Sequence, residues 1–283
     1  MKYPWFDYSR RLSPLKLVVF VALFFPAIWV AAAFTMSWLG ARPLNEAIHQ
    51  IGLWTIRLIF VALAVTPLRQ IWHWQRLILV RRMVGVAAFA YGLCHFGLYW
   101  VDQAFDVVKI ATEIALRIYL TIGFTALLGL AALAATSSDG MVRRMGRRWQ
   151  SLHRLIYAIA LLAVIHYWMQ SKLEIWEPTI MAGIYFWLMG YRLLLKFVGV
   201  RGRLPLPWVA ALVLAAPVLT GAGEAFYFWL AYGVSPMRVI DANFSLQTGL
   251  RPAVVVFGLA AGVTVIGVAR AWLPAAKQRP RFA

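Results

Sequence analysis

The apolar positions of this chain fall in long unbroken runs rather than in stripes at helical or strand spacing. A helix needs about 20 apolar residues to cross a bilayer. Eight runs approach or reach that length: Leu17–Trp38, Leu44–Val65, Met83–Val101, Ile118–Ala135, Leu152–Met169, Thr179–Val198, Leu206–Ala222 and Pro252–Trp272. The seventh is the shortest, contains Pro217, and has room to continue to Tyr232 past Glu224. The alternating segments of an outer-membrane barrel are absent. The pattern predicts an all-α integral membrane protein, a helical bundle of about eight transmembrane helices. The first run follows basic residues and contains Ala31-Ala32-Ala33, as a secretory signal would. It is longer than the roughly 7–15 residues of a signal core, so a retained helix is expected.

Composition agrees with the runs. Hydrophobic residues make up 63% of the 283 and charged residues 13%, against about half and about a quarter in soluble domains. The formal net charge of +18 would suit a nucleic-acid partner. Its distribution argues instead for a lipid bilayer and no nucleic acid, because the basic residues cluster beside the apolar runs. Lys2, Arg10, Arg11 and Lys16 precede the first run, and Arg69, Arg76, Arg81 and Arg82 fall between the second and third. Arg143, Arg144, Arg147 and Arg148, then Arg192, Lys196, Arg201 and Arg203, then Arg270, Lys277, Arg279 and Arg281 mark later alternate connections. The intervening loops hold few basic residues and most of the acids, so both termini are expected in the cytoplasm. Cys94 is the single cysteine, which excludes an internal disulfide and any cysteine-built cluster; a small buried packing role is expected for it. Glycine-rich nucleotide loops and transporter-like paired broken helices are not seen. Glu224, a candidate proton carrier, reads better as an end-of-helix residue.

The histidines carry the candidate chemistry. His95 lies seven residues before Asp102, and His166 six before Lys172, on runs that point the same way. At 1.5 Å per residue both imidazoles fall about 10 Å inside the same boundary. Two histidines at one depth on neighbouring helices suit the two faces of one haem, and bis-imidazole ligation suits electron transfer. His153 lies 13 residues before His166, roughly 20 Å away along the helix and about 140° around it. It cannot share that haem. A second haem there would need another ligand, and the matching position on the third helix holds Arg82, leaving Met83 or His73 as alternatives. His49 sits at a depth suited to the haem or to a quinone head group. Arg57 falls near mid-membrane, where a charge usually faces a partner such as a haem propionate or backbone carbonyls.

Several stretches resemble the MsrQ (YedZ) family, haem-binding membrane subunits of the periplasmic methionine sulfoxide reductase system within the wider ferric-reductase-like transmembrane group. They are His49-Gln-Ile-Gly52 with Arg57, Ala64-Val-Thr-Pro-Leu-Arg69, Arg81-Arg82-Met-Val-Gly85, and the helix carrying His95. Arg117-Ile-Tyr-Leu-Thr-Ile-Gly123, Thr136-Ser137, Trp149-Gln-Ser-Leu-His153 and His166-Tyr167 continue the match. The resemblance implies b-type haem, one or two per chain, with His95, His153 and His166 as the haem histidines. It also implies FMN, which no residue here places. It implies electron transfer from the quinone pool or a cytosolic flavin reductase to MsrP, a periplasmic molybdenum-cofactor enzyme in which the sulfoxide chemistry resides. The expected organisation is a six-helix haem-binding core over residues 1–200, followed by an extension over 201–283 with two further spans. Two other readings compete: a self-contained cytochrome b reducing a small acceptor at the outer face, and a non-redox transporter whose histidines relay protons.

Overall fold

A computed structural model describes residues 4–6, 11–172, 174–245 and 249–272. Lys2, Arg10, Lys277, Arg279 and Arg281, used above for topology, lie outside the described residues. Thirteen α-helices follow one another among the described residues: α1 (Pro14–Ala22), α2 (Phe25–Thr35), α3 (Pro43–Ile71), α4 (Ile78–Asp102), α5 (Val107–Leu116), α6 (Ile118–Ala135), α7 (Asp139–Met145), α8 (Arg147–His153), α9 (Ile156–Gln170), α10 (Trp176–Val198), α11 (Leu206–Tyr232), α12 (Pro236–Phe244) and α13 (Pro252–Trp272). Among the described residues eight helical spans are long and apolar enough to cross a membrane, and each coincides with one of the eight runs. The first is α1 with α2, and the fifth is α8 with α9. The third begins earlier than the apolar run, because Gln75–Asp102 takes Arg81 and Arg82 into the helical stretch.

The chain packs as two compact units, Met1–Leu63 with Leu79–Leu173, and Ala64–Ile78 with Glu174–Ala283. In the first unit the opening span is broken between α1 and α2, just before Pro26. The Tyr91 hydroxyl fills the break: it donates to the Leu23 carbonyl at 2.7 Å and accepts from the Ala27 amide at 3.0 Å. These are the two groups an unbroken helix would have paired with each other. In hydrocarbon they find no water. Tyr91→Phe is therefore expected to cost about 1–3 kcal/mol, read as a lower midpoint of thermal unfolding in detergent.

Close helix approach in this unit uses small residues, as expected where lipid removes the hydrophobic drive between helices. A Cβ on Gly129 of α6 would lie 2.8 Å from Ile159 of α9, and one on Gly92 of α4 would lie 3.3 Å from Thr55 of α3. The buried stripe of α4 runs through Val84, Ala88, Tyr91 and Gly92. Cys94 falls off that stripe and is exposed, which corrects the expectation of a buried packing residue. Two residues past Gly92 is about 200° around the helix, so the thiol faces outward beside exposed Leu93.

Between α6 and α9 the chain turns through α7 and α8. Gly146 separates them at φ 53° and ψ −122°, a region open to glycine and costly for other residues. Arg82 of α4 pairs with Asp139 of α7 at 2.6 Å. The guanidinium holds the Asp139 carboxyl below the usual carboxylate range. A depressed acid stabilises the fold above its unfolded pKa, and that gain is lost as pH falls through the folded value. Both side chains are partly exposed, so the gain is no more than about 1 kcal/mol. Asp139→Asn is expected to lower the unfolding midpoint slightly at pH 7 and to leave it unchanged at acid pH, measured by paired melts.

In the second unit α10, α11 and α13 pack against one another. Gly183 of α10 lies against Thr220 of α11 and Val256 of α13, and Gly190 against Leu212. The end of α3 joins them: the Trp72 indole donates to the Val263 carbonyl at 2.9 Å, and Gly267 of α13 lies against Ile71. The seventh span continues to Tyr232, so Glu224 sits inside α11 rather than at its end. It is 2% exposed. Its carboxylate accepts from Arg251 at 3.0 Å and from Asn243 at 2.6 Å. Asn243 in turn accepts from the Ala253 amide at 3.1 Å. These partners correct the end-of-helix expectation, because a paired and hydrogen-bonded carboxylate can lie inside an apolar helix.

Candidate functional site

His95 and His166 come from successive helix pairs of the first unit, and the same local device holds both. The Nδ1–H of His95, on α4, donates to the Ile48 carbonyl of α3 at 2.8 Å. The Nδ1–H of His166, on α9, donates to the Tyr119 carbonyl of α6 at 2.7 Å. A carbonyl can only accept, so Nδ1 carries the proton in each ring and Nε2 keeps its lone pair. One turn beyond each carbonyl stands a glycine. A Cβ on Gly52 would lie 2.8 Å from His95 Nδ1, and one on Gly123 would lie 2.6 Å from His166 Nδ1. The ring can reach the carbonyl only because that side chain is missing.

The two imidazoles meet. Their centroids are 6.4 Å apart, with 80° between the ring planes. A metal–imidazole bond of about 2 Å and a centre-to-nitrogen distance of about 1.1 Å, each counted twice, give about 6 Å for two rings sharing one metal. Among the described residues no group of three His, Cys, Asp or Glu side chains could hold a bare ion. Two neutral nitrogen donors and nothing else suit a metal whose other positions are already filled, as a macrocycle fills them in haem. The Nδ1–carbonyl bonds are the orienting contacts that metal-binding imidazoles commonly use. The residues present therefore fit a haem.

The other expected residues lie elsewhere. His153 ends α8, and its Nε2 is 3.1 Å from the Thr136 hydroxyl. Its ring stacks on Trp149 with centroids 3.9 Å apart, and the Trp149 indole donates to the Thr136 carbonyl at 2.9 Å. The turn at Arg154–Leu155 separates α8 from α9, so the ideal-helix angle between His153 and His166 does not carry over. Arg57 lies over the Trp54 ring, 5.0 Å from its centroid. His49 follows the Ile48 carbonyl on α3 and is exposed, and His73 is exposed in a turn.

Gly52, Gly123 and the two carbonyls were not singled out by sequence reasoning. A signal was present. Ile48 and Tyr119, Gly52 and Gly123, and His95 and His166 are each 71 residues apart. The same offset relates Arg82 to His153. The site is a local repeat that breaks at the level of His153, where its counterpart is an arginine paired with Asp139.

An all-helical bundle enclosing a histidine pair places this chain among multi-pass bacterial membrane proteins, and residues 51–164 match the family described as ferric reductase like transmembrane component. Over 204 residues it is 40% identical to a protein-methionine-sulfoxide reductase heme-binding subunit MsrQ from Azospira oryzae, covering 70% of this chain and 84% of the relative. MsrQ of Rhodospirillum rubrum is 43% identical over 180 residues, covering 63% of this chain and 86% of the relative. MsrQ of Xanthomonas campestris pv. campestris is 48% identical over 155 residues, covering 54% and 71% respectively. The chain belongs to the MsrQ family. No solved structure matches it.

Proposed function

We propose that this chain binds one b-type haem between His95 and His166 and passes electrons through the membrane to a methionine sulfoxide reductase. The observation that carries the reading is the meeting of two Nδ1-tethered imidazoles at a haem-like spacing. When bound, the haem supplies a one-electron iron couple. His95 and His166 would hold the iron through Nε2, and the protein's part is to fix both rings in one tautomer, an arrangement that would favour electron transfer over oxygen binding. The acceptor is the periplasmic molybdenum-cofactor enzyme MsrP, and the donor is the quinone pool or a cytosolic flavin reductase. FMN remains a family expectation without a residue to hold it. Both termini lie in the cytoplasm in this reading, which puts the histidine pair near the periplasmic face, within reach of that acceptor.

A reduced-minus-oxidised spectrum of the purified protein tests the proposal. Bands of a b-type haem are expected, and their absence would sink it. Reoxidation of the reduced haem should accelerate when MsrP and a sulfoxide substrate are added. An unchanged rate would favour the self-contained cytochrome b. Haem per protein in wild type and in His153→Ala counts the sites: an unchanged ratio leaves His153 to Thr136 and Trp149, and a halved ratio assigns it a second haem.

A further inference from the structure

We propose that Gly52 and Gly123 are positioning residues for the axial ligands, each forming with the carbonyl one turn before it a seat that sets the plane of one imidazole. This rests on the haem reading above and concerns what that reading leaves open, the orientation of the rings about the metal axis.

The two seats share a hydrogen bond and a glycine; at the second, the Tyr119 ring also lies beside His166 with centroids 6.4 Å apart, where the first has aliphatic Ile48. In each, a helical carbonyl takes the Nδ1 proton at 2.7–2.8 Å. In each, the glycine four residues later leaves the space in which the ring lies. A methyl group there would come within 2.8 and 2.9 Å of Nδ1 and Cε1 of His95, and within 2.6 and 2.7 Å of the same atoms of His166. Such contacts are too short to stand, so the ring must turn about its Cβ–Cγ bond or leave the carbonyl. The hydrogen bond sets the ring, and the missing side chain admits it in that orientation. The two orientations so fixed stand 80° apart.

That angle has an electronic consequence. The π orbitals of an axial imidazole interact with one of two metal d orbitals, the one perpendicular to its ring. Parallel rings act on the same orbital and split the pair, whereas perpendicular rings act on one each and leave the pair nearly degenerate. A low-spin ferric centre held by these seats therefore gives a strongly axial paramagnetic signal, with one feature at unusually low field. Turning either ring toward the other adds rhombic splitting and changes the midpoint potential.

The test uses the purified, full-length protein in its oxidised form. Wild type should show the single low-field feature. A three-line rhombic spectrum, as near-parallel ligands give, would overturn the proposal without any variant. Gly52→Ala and Gly123→Ala should each move that feature and the midpoint potential, and weaken haem retention on the order of ten-fold or more. Helix propensity favours alanine over glycine by about 1 kcal/mol, so a loss cannot come from the helix itself. Gly129→Ala is the control. Its Cβ would meet Ile159 at 2.8 Å, at the α6–α9 crossing that also carries His166, but no imidazole. It should keep the wild-type signal and potential. An equal shift in Gly129→Ala, or none in the two seat variants, would overturn the proposal. Absence of b-type bands from wild type would instead overturn the haem reading, and this inference with it.

Discussion

His95→Ala and His166→Ala are each expected to abolish the bound haem, leaving less than about a tenth of wild-type haem per protein after purification. Loss of an orienting contact around a metal ligand already costs 10–100-fold in affinity, and removal of the ligand itself costs more. Neither variant should unfold the unit. Ile48 and Tyr119 lie in regular helix, so losing the imidazole removes one extra bond from a carbonyl that keeps its helical partner. Protein yield and helical content are thus expected to stay near wild type while the b-type bands vanish. Normalised reduced-minus-oxidised spectra make the measurement. Full haem content in either variant would show that the pair does not share a haem.

The second large effect lies in the other unit. Arg251→Met is expected to destabilise the protein by about 3–5 kcal/mol, because it leaves the Glu224 carboxylate buried without its cation. The double variant Glu224→Met, Arg251→Met should recover most of that loss, since an apolar pair of similar volume replaces a desolvated ion pair at little net cost. Asn243 limits the recovery, as it loses its carboxylate partner while keeping the Val239 carbonyl at 3.1 Å and the Ala253 amide. Unfolding of wild type, both single variants and the double variant in one detergent gives the coupling energy. A coupling near zero would mean that the pair is incidental to the packing of α11 with its neighbours.

Much of the fold could be read along the chain because a membrane span is a one-dimensional signal. Run length alone located all eight helical spans. The encounter of His95 with His166 was readable for a related reason: helix rise is constant, so counting from Asp102 and Lys172 puts both at one level. Rotation about the helix axis and lateral neighbours leave no such mark. Cys94 was expected inside and faces out, because its place depends on which side of α4 meets α3. Glu224 was read as a helix end, because its cation lies 27 residues further on, beyond α12. The break in the first span was invisible for the same reason, since the group that fills it comes from Tyr91, 64 residues beyond Ala27. The glycine seats were within quoted motifs, yet a glycine in a membrane helix commonly serves close packing. Only the imidazole against it distinguishes Gly123 from Gly129.

The 71-residue offset bears on how the site is assembled. Each histidine is tethered within its own half, His95 against α3 and His166 against α6. Neither tether needs the other half, or the cofactor, to exist. During membrane insertion each half can set its imidazole as soon as its own two helices are side by side. A haem held there would enter between two jaws shaped separately, and little of its binding energy would be spent on ordering the protein around it.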